Sequence, residues 1–259
     1  MTQYYFILAD SELELIPPEL QRERSILNSA RMRGKAPEKI LLDASHHHPA
    51  FVKLKESERR GRPDIVHFFL MLAMDSDLNA AGKLKVFVHT RNNDVIAVKP
   101  ETRLPPHYPR FVGLIESLYE QRVVPSRENA LLELRPNVPL ETLVAALKPD
   151  NVIVMDPLGK EEPLEEKFAG TDDQTKVVII GGFSKGDYRT DLSKIKHQKV
   201  SLGNRQQKVW TVTSKVLCAI NHASKLPPSP VSAVANEPAA EVKAPGPSKP
   251  RRARKKKAE

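Results

Sequence analysis

A glycine-rich run near residue 181 is the first candidate for binding chemistry. Residues 181–187 read Gly-Gly-Phe-Ser-Lys-Gly-Asp and directly follow a strand predicted at Lys176–Ile180. Glycines let a ligand approach the backbone closely. A nucleoside-triphosphate loop requires a lysine after its last glycine, where this chain has Asp187, and the G-x-G-x-x-G dinucleotide motif is also missing. The run therefore predicts a ligand-binding loop of another kind, with a glycine-rich turn that binds nothing as the alternative.

Two further loops lie beside predicted strands in the same third of the chain. Asp156–Gly159 follows the strand predicted at Asn151–Met155, and Val200–Asn204 precedes the single tryptophan, Trp210. Ligands in α/β folds collect at the carboxyl ends of strands. The three loops therefore predict one shared pocket. Trp210 has a second interpretation as a core aromatic residue.

Arginines next to prolines form a second group of candidates. Arg62 lies in the sequence Gly-Arg-Pro-Asp, and Arg103 and Arg110 lie in the proline-rich segment Thr102–Arg110. Proline presets the backbone, and arginine stays charged, so the pattern suits oriented contacts to an anion. The alternative is an ion pair with a local carboxylate. For Arg62 that carboxylate is Asp64, which we expect to cap the following helix, with a catalytic role as the second interpretation.

Metal binding and thiol chemistry find little support. His46 and His48 share one face of an extended run, but no cysteine or carboxylate pattern beside them completes a metal site. The single cysteine, Cys218, excludes an intramolecular disulfide and a cysteine-based zinc site, and it indicates a reducing compartment. A hydrolase nucleophile is not predicted either, because the G-x-S-x-G motif is missing.

Charge and composition indicate the class of partner. The chain has 259 residues, of which 40% are hydrophobic, so one or two globular domains are expected. Lys and Arg number 41 against 32 Asp and Glu, which gives a formal net charge of +9. That excess favours an acidic partner, nucleic acid before anionic membrane. The first residues lack the pattern of a secretory signal, and no apolar run is long enough to predict a membrane span.

The C-terminal segment, residues 227–259, differs from the rest of the chain. It holds seven of the 22 prolines, and its eight Lys or Arg against three Glu give a charge of +5. Such a segment cannot bury enough apolar surface to fold. We predict a disordered basic tail, which either contacts nucleic acid or only aids solubility, and a folded domain over residues 1–226.

Residues 1–226 alternate between strand-like and helix-like segments, which predicts an α/β domain with a mostly parallel sheet flanked by helices. The predicted strands are Tyr4–Leu8, Lys39–Leu42, Leu84–His89, Val95–Val98, Asn151–Met155, Lys176–Ile180 and Lys199–Leu202. The predicted helices are Pro17–Arg33, Ile65–Met74, Tyr108–Arg122, Pro139–Leu147 and Lys208–His222. Ile65–Met74 is apolar on every face, which predicts burial on all sides, in a core or at a subunit interface.

Residues 61–119 carry a set of motifs that resembles one known family. In order they are Arg-Pro-Asp before an apolar helix, Met-Asp-Ser-Asp-Leu-Asn, Thr-Arg-Leu-Pro and Arg-Phe-Val-Gly-Leu. The glycine-rich run also matches G-[GA]-F-x-x-G. This set is similar to the ribosome-biogenesis pseudouridine N1-methyltransferases, the Nucleolar Essential Protein family of the SPOUT, or trefoil-knot, class. The resemblance covers residues 1–224 and is strongest in the middle of the chain.

The resemblance implies a SPOUT-type knotted domain that acts as a homodimer and binds S-adenosylmethionine without a metal. It implies methylation of the N1 atom of a pseudouridine in small-subunit rRNA, in support of small-subunit assembly and beside other assembly factors. Together with the three loops, it assigns cofactor binding to Leu158, Gly159, Gly181, Gly182, Phe183, Gly186, Ser201, Leu202, Gly203, Val209 and Trp210. The expected location is the cytoplasm in an archaeal cell and the nucleolus in a eukaryotic one.

The family arginines that contact RNA map to Arg62, Arg103 and Arg110. The family often has a further arginine where this chain has Pro106, and His107 is the candidate to replace it. A cationic site would stabilise the ring anion that forms when pseudouridine N1 loses its proton, which makes Arg62 a catalytic candidate.

Asp64 is the second catalytic candidate. It either accepts that proton or holds Arg62, and we favour holding. The rival function is a non-catalytic rRNA-binding assembly factor that keeps the fold. The intact strand-end loops favour the enzyme.

Overall fold

The computed structural model of the chain describes residues 2–169, 173–203 and 205–224. The predicted basic tail over residues 227–259 lies outside the described residues, as does Asn204 of the third strand-end loop. Within the described part of the chain, we find no helix that is both long enough and apolar enough to cross a bilayer.

One mixed sheet forms the centre of the described structure. Its strands are β1 (Gln3–Ser11), β2 (Leu84–Thr90), β3 (Val95–Val98), β4 (Val123–Val124), β5 (Leu132–Arg135), β6 (Asn151–Glu161), β7 (Thr175–Gly181) and β8 (Gln198–Ser201). They are arranged in the order β4-β5-β3-β2-β1-β7-β6-β8. The pairs β1–β2, β1–β7, β6–β7 and β6–β8 are parallel, whereas β3, β4 and β5 add an antiparallel edge. The predicted α/β class with a mostly parallel sheet is therefore confirmed.

Helices cover both faces of this sheet. They are α1 (Arg24–Arg33), α2 (Ala44–His47), α3 (Pro63–Met74), α4 (Asp77–Ala80), α5 (Tyr108–Gln121), α6 (Leu140–Leu147), α7 (Leu164–Phe168) and α8 (Val209–Ser224). The alternation of side chains along β1 divides the core: Phe6 and Leu8 pack with α3, α5, α7 and α8, whereas Ile7 and Ala9 pack with α6. A smaller apolar cluster lies under α1 and the residues around Ile40.

The parallel pairing fixes where the predicted loops meet. Because β1, β6, β7 and β8 run in the same direction, their carboxyl ends share one edge of the sheet. The loops after β7 and β8 leave the sheet at that edge, and α8 follows the second of them. The topology thus brings together segments that are distant in the sequence.

Two predicted elements near the N-terminus are wrong. Pro17–Arg33 is not one helix: a short 3-10 turn covers Pro18–Leu20, and α1 begins only after the extended residue Glu23. Lys39–Leu42 is not a strand of the sheet, because its only ladder contact among the described residues is an isolated bridge between Leu15 and Leu41. The apolar side chains of this segment serve local packing instead, and Ile40 lies in the small cluster under α1.

The prediction that Ile65–Met74 is buried on all sides is wrong at four positions: Met71, Leu72 and Met74 are only half-buried, and Phe68 is exposed. Most of α3 is buried against the sheet and α8, but Phe68 is 51% exposed. A large exposed aromatic side chain on a helix this apolar suggests a contact surface rather than a core position.

Candidate functional site

The strand-end cavity, of about 310 Å³, lies at the carboxyl edge of the sheet. It is lined by Met155–Leu158 in the middle of β6, the glycine-rich loop after β7, the loop after β8 and the start of α8. The prediction that Asp156–Gly159 is a loop is wrong, because β6 continues to Glu161. Ile180, Leu202, Val209 and Val212 supply apolar side chains to its wall. An apolar cavity with exposed backbone groups at strand ends is typical of a site for a nucleoside-sized ligand.

Most of the predicted cofactor residues meet in this cavity. Eight of the eleven line it, namely Leu158, Gly181, Phe183, Gly186, Ser201, Leu202, Gly203 and Val209. The three predicted segments therefore do form one pocket. The remaining three predicted residues, Gly159, Gly182 and Trp210, lie beside it but are not part of its lining.

The two glycines outside the lining are required by packing between strands. A Cβ atom on Gly159 would lie 2.7 Å from the backbone carbon of Lys199 in β8. A Cβ atom on Gly182 would lie 2.4 Å from Ser11 Oγ and 2.8 Å from Ser11 Cα at the end of β1. Both distances are shorter than a real Cβ contact, so these glycines allow close approach of a neighbouring strand rather than of a ligand.

Trp210 belongs to the contact between α3 and α8. Its ring centroid lies 5.2 Å from that of the exposed Phe68. Trp210 also lines the small cavity, of about 80 Å³, together with Arg62, Ile65, Phe183 and the segment 206–209. Because residues 206–207, Phe183 and Val209 also line the strand-end cavity, the small cavity adjoins it on the side of α3.

Asp156, from the predicted segment Asp156–Gly159, and Tyr188, which was not predicted, also line the strand-end cavity. Burial favours the neutral acid, but an ion pair with Lys199 at 2.8 Å and the Leu158 N–H hold the pKa of Asp156 below its ordinary value. The hydroxyl of Tyr188 donates to the Met155 carbonyl at 3.0 Å. A sequence signal existed for Asp156, since it directly follows the predicted strand.

The glycine-rich loop is held from outside the cavity by Arg59. Its Nε donates to Glu12 Oε1 at 2.6 Å, and its Nη1 donates to the Asp187 carbonyl at 3.1 Å. The guanidinium also lies 4.6 Å from the centroid of the Phe183 ring. Glu12 is fully buried and accepts a second hydrogen bond from Arg91. A buried ion-pair network thus fixes the loop that supplies Gly181, Phe183, Gly186 and Asp187 to the cavity wall.

Asp10 holds the far end of the same loop. Its carboxylate accepts hydrogen bonds from the backbone N–H groups of Arg189 at 2.7 Å and Thr190 at 3.0 Å, and from the Thr190 hydroxyl at 2.7 Å. The Asp10 N–H donates to Nδ1 of His89, and burial lowers the pKa of that imidazole. At the start of the loop, the Gly182 N–H donates to the Ala9 carbonyl at 2.7 Å, so both ends of the loop are anchored to the end of β1.

Arg62 lies at the start of α3, with its side chain in the small cavity. Its Nε and Nη2 donate to the two carboxylate oxygens of Asp64 at 2.8 and 2.7 Å. These hydrogen bonds raise the pKa of Arg62. The prediction that Asp64 caps α3 is wrong, because the helix has no side-chain cap and the carboxylate faces Arg62. The favoured interpretation, that Asp64 holds Arg62, agrees with this geometry.

Arg62 also borders the outer cleft, of about 390 Å³, which opens between α3 and the start of α5. Tyr108 closes one side and donates from its hydroxyl to Asp43 Oδ2 at 2.6 Å. Nε2 of His67 lies 2.9 Å from the Pro105 carbonyl, and burial lowers the pKa of His67, so the neutral ring donates this bond. These contacts hold the segment around Pro106 against α3.

The other predicted RNA-binding side chains lie on the surface next to this segment. Arg103, His107 and Arg110 are exposed, and they do not line the three cavities described above. Thr102, directly before Arg103, is buried and fixes the segment through its hydroxyl, which donates to the Leu131 carbonyl. Whether the three arginines act as one cluster stays a prediction.

The histidine run serves local structure. Nδ1 of His47 accepts from the Asp43 N–H at 3.0 Å, Nε2 lies 3.2 Å from Ser29 Oγ, and burial lowers the pKa of His47 to about 4. Over the described ranges, we find no group of three His, Cys, Asp or Glu side chains arranged to hold a metal ion.

Comparisons of this chain with a family model and with related proteins all point to one family of methyltransferases. The family model described as EMG1/NEP1 methyltransferase matches residues 6–221. A protein of Thermococcus sibiricus named ribosomal RNA small subunit methyltransferase Nep1 is 45% identical over 229 residues, which is 86% of this chain and 98% of that protein. The protein of the same name from Pyrococcus furiosus is 45% identical over 215 residues, which is 82% of this chain and 94% of that protein.

A solved structure is similar in fold. The crystal structure of Archaeoglobus fulgidus Nep1 bound to S-adenosylhomocysteine superposes with a TM-score of 0.76 at 38% sequence identity. The match covers 86% of this chain and 99% of that chain.

Proposed function

We propose that this chain, which belongs to the EMG1/NEP1 methyltransferase family, methylates the N1 atom of a pseudouridine in small-subunit rRNA. Its relatives are named as small-subunit rRNA methyltransferases, and the similar solved structure is bound to S-adenosylhomocysteine. S-adenosylmethionine is accordingly the methyl donor, and small-subunit rRNA is the substrate. One observation supports methylation at the N1 atom of pseudouridine: Arg62, held by Asp64, lies between the strand-end cavity and the outer cleft.

The strand-end cavity fits the cofactor. Its apolar wall, formed by Ile180, Leu202, Val209 and Val212, suits a purine ring, and the backbone of its loops offers donors and acceptors at strand ends. Phe183 and Gly186 would hold the part of the ligand nearest the glycine-rich loop. When bound, S-adenosylmethionine supplies an electrophilic methyl group on a sulfonium centre.

Arg62 contributes the positive charge that the reaction needs. Pseudouridine N1 loses its proton to water, and the ring anion carries charge on its carbonyl oxygens before it attacks the sulfonium methyl group. Because Nε and Nη2 of Arg62 bind Asp64, Nη1 is the nitrogen left to donate to such an oxygen. A preorganised donor stabilises charge that develops in the transition state. Asp64 acts by fixing the orientation of Arg62, which keeps the guanidinium directed at the base.

The surface around the outer cleft provides for the rest of the RNA. Arg103, His107 and Arg110 are exposed on the segment that leads into α5, whose first residue closes the cleft. Arginine binds phosphate oxygens with a fork of donors, so this segment would fix the backbone on both sides of the target nucleotide. The basic tail would add electrostatic attraction, and the reaction would take place where small subunits are assembled, in the cytoplasm or the nucleolus.

A homodimer completes the proposal. Phe68 is 51% exposed and packs against Trp210, so an aromatic surface lies open where α3 meets α8. A second copy of the chain would bury this surface. Light scattering should give twice the mass of one chain, and Phe68→Glu should shift the particle toward the monomer. A monomeric wild-type protein at micromolar concentration would contradict the dimer.

The function is tested with two synthetic rRNA hairpins that differ only in having pseudouridine or uridine at the target. We expect methyl transfer from S-adenosylmethionine to the first hairpin alone, detected by mass spectrometry of its nucleosides. Asp64→Asn should reduce the rate while S-adenosylhomocysteine still binds. Methylation of both hairpins would show that the protein is not specific for pseudouridine. Binding of cofactor and RNA without any transfer would favour the rival function, a non-catalytic assembly factor.

A further inference from the structure

Gln207 presents a buried acceptor at the boundary between the strand-end cavity and the small cavity. It lies between β8 and α8 and lines both cavities. Its Nε2 donates to the Leu202 carbonyl at 3.0 Å. This bond fixes the orientation of the amide, because a carbonyl oxygen can only accept. The other amide atom, Oε1, is buried and has no hydrogen-bond partner in the part of the chain that the structure describes.

A buried acceptor without a donor is unfavourable, and at the wall of a binding cavity it points to a ligand. The small cavity shows which ligand fits. Arg62 offers a donor there, and Gln207 offers an acceptor in the same cavity. Ile65, Val209 and Trp210 add apolar surface of the kind that packs against a flat ring. A uracil-type base carries a carbonyl oxygen directly next to an imide N–H, which matches this pair of groups.

We propose that Gln207 is a specificity-determining residue for the target base, with its Oε1 accepting a hydrogen bond from the imide N3–H while Arg62 donates to the adjacent carbonyl. This inference rests on the proposed function and adds the group that recognises the base. Cytosine has no hydrogen on N3, so it would place one acceptor against another. A site that leaves its own polar group unpaired discriminates strongly against the wrong ligand.

The position of Gln207 also agrees with the geometry of transfer. The carbonyl between N1 and N3 of pseudouridine is adjacent to N1 and gains anionic charge when N1 loses its proton. Contacts to this carbonyl and to N3–H leave the N1 edge free. Since Gln207 borders both cavities, a base bound in this way keeps that edge close to the strand-end cavity.

The test compares Gln207→Leu with Gln121→Leu on two hairpins. Gln121 is exposed at the end of α5 and lines none of the three cavities described above, so it controls for the loss of a glutamine amide outside the site. One hairpin carries pseudouridine at the target and the other carries N3-methylpseudouridine. We expect Gln207→Leu to lower kcat/KM on the first hairpin about tenfold or more, the effect of one lost hydrogen bond. The affinity for S-adenosylhomocysteine should stay within about twofold of wild type. For Gln121→Leu, both kcat/KM and this affinity should stay within about twofold of wild type.

The N3-methyl hairpin gives the sharper readout. The methyl group should lower kcat/KM strongly for the wild-type protein and much less for Gln207→Leu, because the variant has no hydrogen bond to lose. Equal discrimination in both proteins, with weakened S-adenosylhomocysteine binding in the variant, would overturn the inference and assign Gln207 to the cofactor. Gln207→Met repeats the test if the leucine variant melts early. A wild-type protein that methylates neither hairpin would overturn the proposed function as well, whereas wild-type activity with a silent Gln207→Leu would overturn only this inference.

Discussion

Replacing Arg59 by methionine should weaken cofactor binding far more than the same replacement of its neighbour Arg60. The two arginines are 7% and 8% exposed, and each forms an ion pair with a buried glutamate that follows β1, Glu12 for Arg59 and Glu14 for Arg60. Arg59 alone of the two also contacts the glycine-rich loop. Methionine keeps much of the aliphatic volume and removes the charge, so the pair of variants separates the loop contacts from the buried ion pair.

The expected magnitude follows from the two loop contacts. The hydrogen bond to the Asp187 carbonyl and the guanidinium contact with the Phe183 ring are each worth about 1 kcal/mol. Losing both should cost about 2 kcal/mol of loop ordering, or roughly 30-fold in affinity. Breaking a buried ion pair costs about 3–5 kcal/mol in stability, and both variants should lie near the lower end because each glutamate keeps a contact with Arg91.

Titration calorimetry with S-adenosylhomocysteine, well below the melting temperature of each variant, measures the difference. We expect Kd to rise roughly 30-fold for Arg59→Met and by less than about threefold for Arg60→Met, with similar losses of Tm. A wild-type Kd in Arg59→Met, together with a lowered Tm, would refute the reasoning. It would mean that the loop keeps its binding conformation without Arg59.

Three further predictions concern packing, pH and charge. Gly182→Ala places a Cβ 2.4 Å from Ser11 Oγ, and this overpacking should destabilise the folded protein by about 1–3 kcal/mol. Tm in a calorimetric scan should fall by roughly 2–12 °C, and an unchanged Tm would contradict the prediction. Burial lowers the pKa of His47 from 6.5 in the unfolded chain to about 4 in the folded protein. As the pH falls, the unfolded state therefore binds a proton before the folded state does. This contribution to stability is present above pH 6.5 and is lost as the pH falls towards 4. The wild-type protein should therefore lose about 2 kcal/mol more unfolding free energy between pH 7 and pH 5 than His47→Gln does, as measured by urea unfolding. Equal losses in the two proteins would contradict this prediction. Deleting residues 227–259, which carry +5, should reduce the log–log salt slope of RNA binding by about 0.7–0.9 per lost phosphate contact, and an identical slope would exclude the tail from binding.

The central strands could be predicted because their signal is local. The apolar runs within Tyr4–Leu8 and Lys176–Ile180 are buried on both faces of the sheet, and a continuous apolar run is what such a strand requires. The short antiparallel strands β4 and β5 were not predicted, because these residues form strands only through pairing with other strands. Leu132–Arg135 is a strand through its ladder with β3, which lies more than thirty residues earlier. Lys39–Leu42 has the composition of a strand but has no such partner.

The same distinction holds at the candidate site. The glycines and the Arg-Pro-Asp motif can be recognised from the local sequence, whereas the local sequence does not identify the residues that hold them in place. Glu12 and Arg59 are 47 residues apart, and only the folded chain shows that they meet. A weak signal existed: Glu12 and Glu14 alternate with leucines directly after an apolar strand, where a charge is costly unless it is paired. Gln207 had no signal, because only the cavity reveals that its Oε1 lacks a partner.

One short segment, residues 59–64, links the two halves of the proposed site. Arg59 holds the glycine-rich loop of the strand-end cavity, and Arg62, three residues later, lies in the small cavity toward the outer cleft. Between them Gly61 has a φ of +66°, and a Cβ there would lie 2.9 Å from the Phe51 ring, so the backbone is confined between fixed neighbours. Because the segment is anchored at both arginines, a displacement of the glycine-rich loop is transmitted to the start of α3. Cofactor binding, which requires that loop in place, should therefore also set the position of Arg62 for the base.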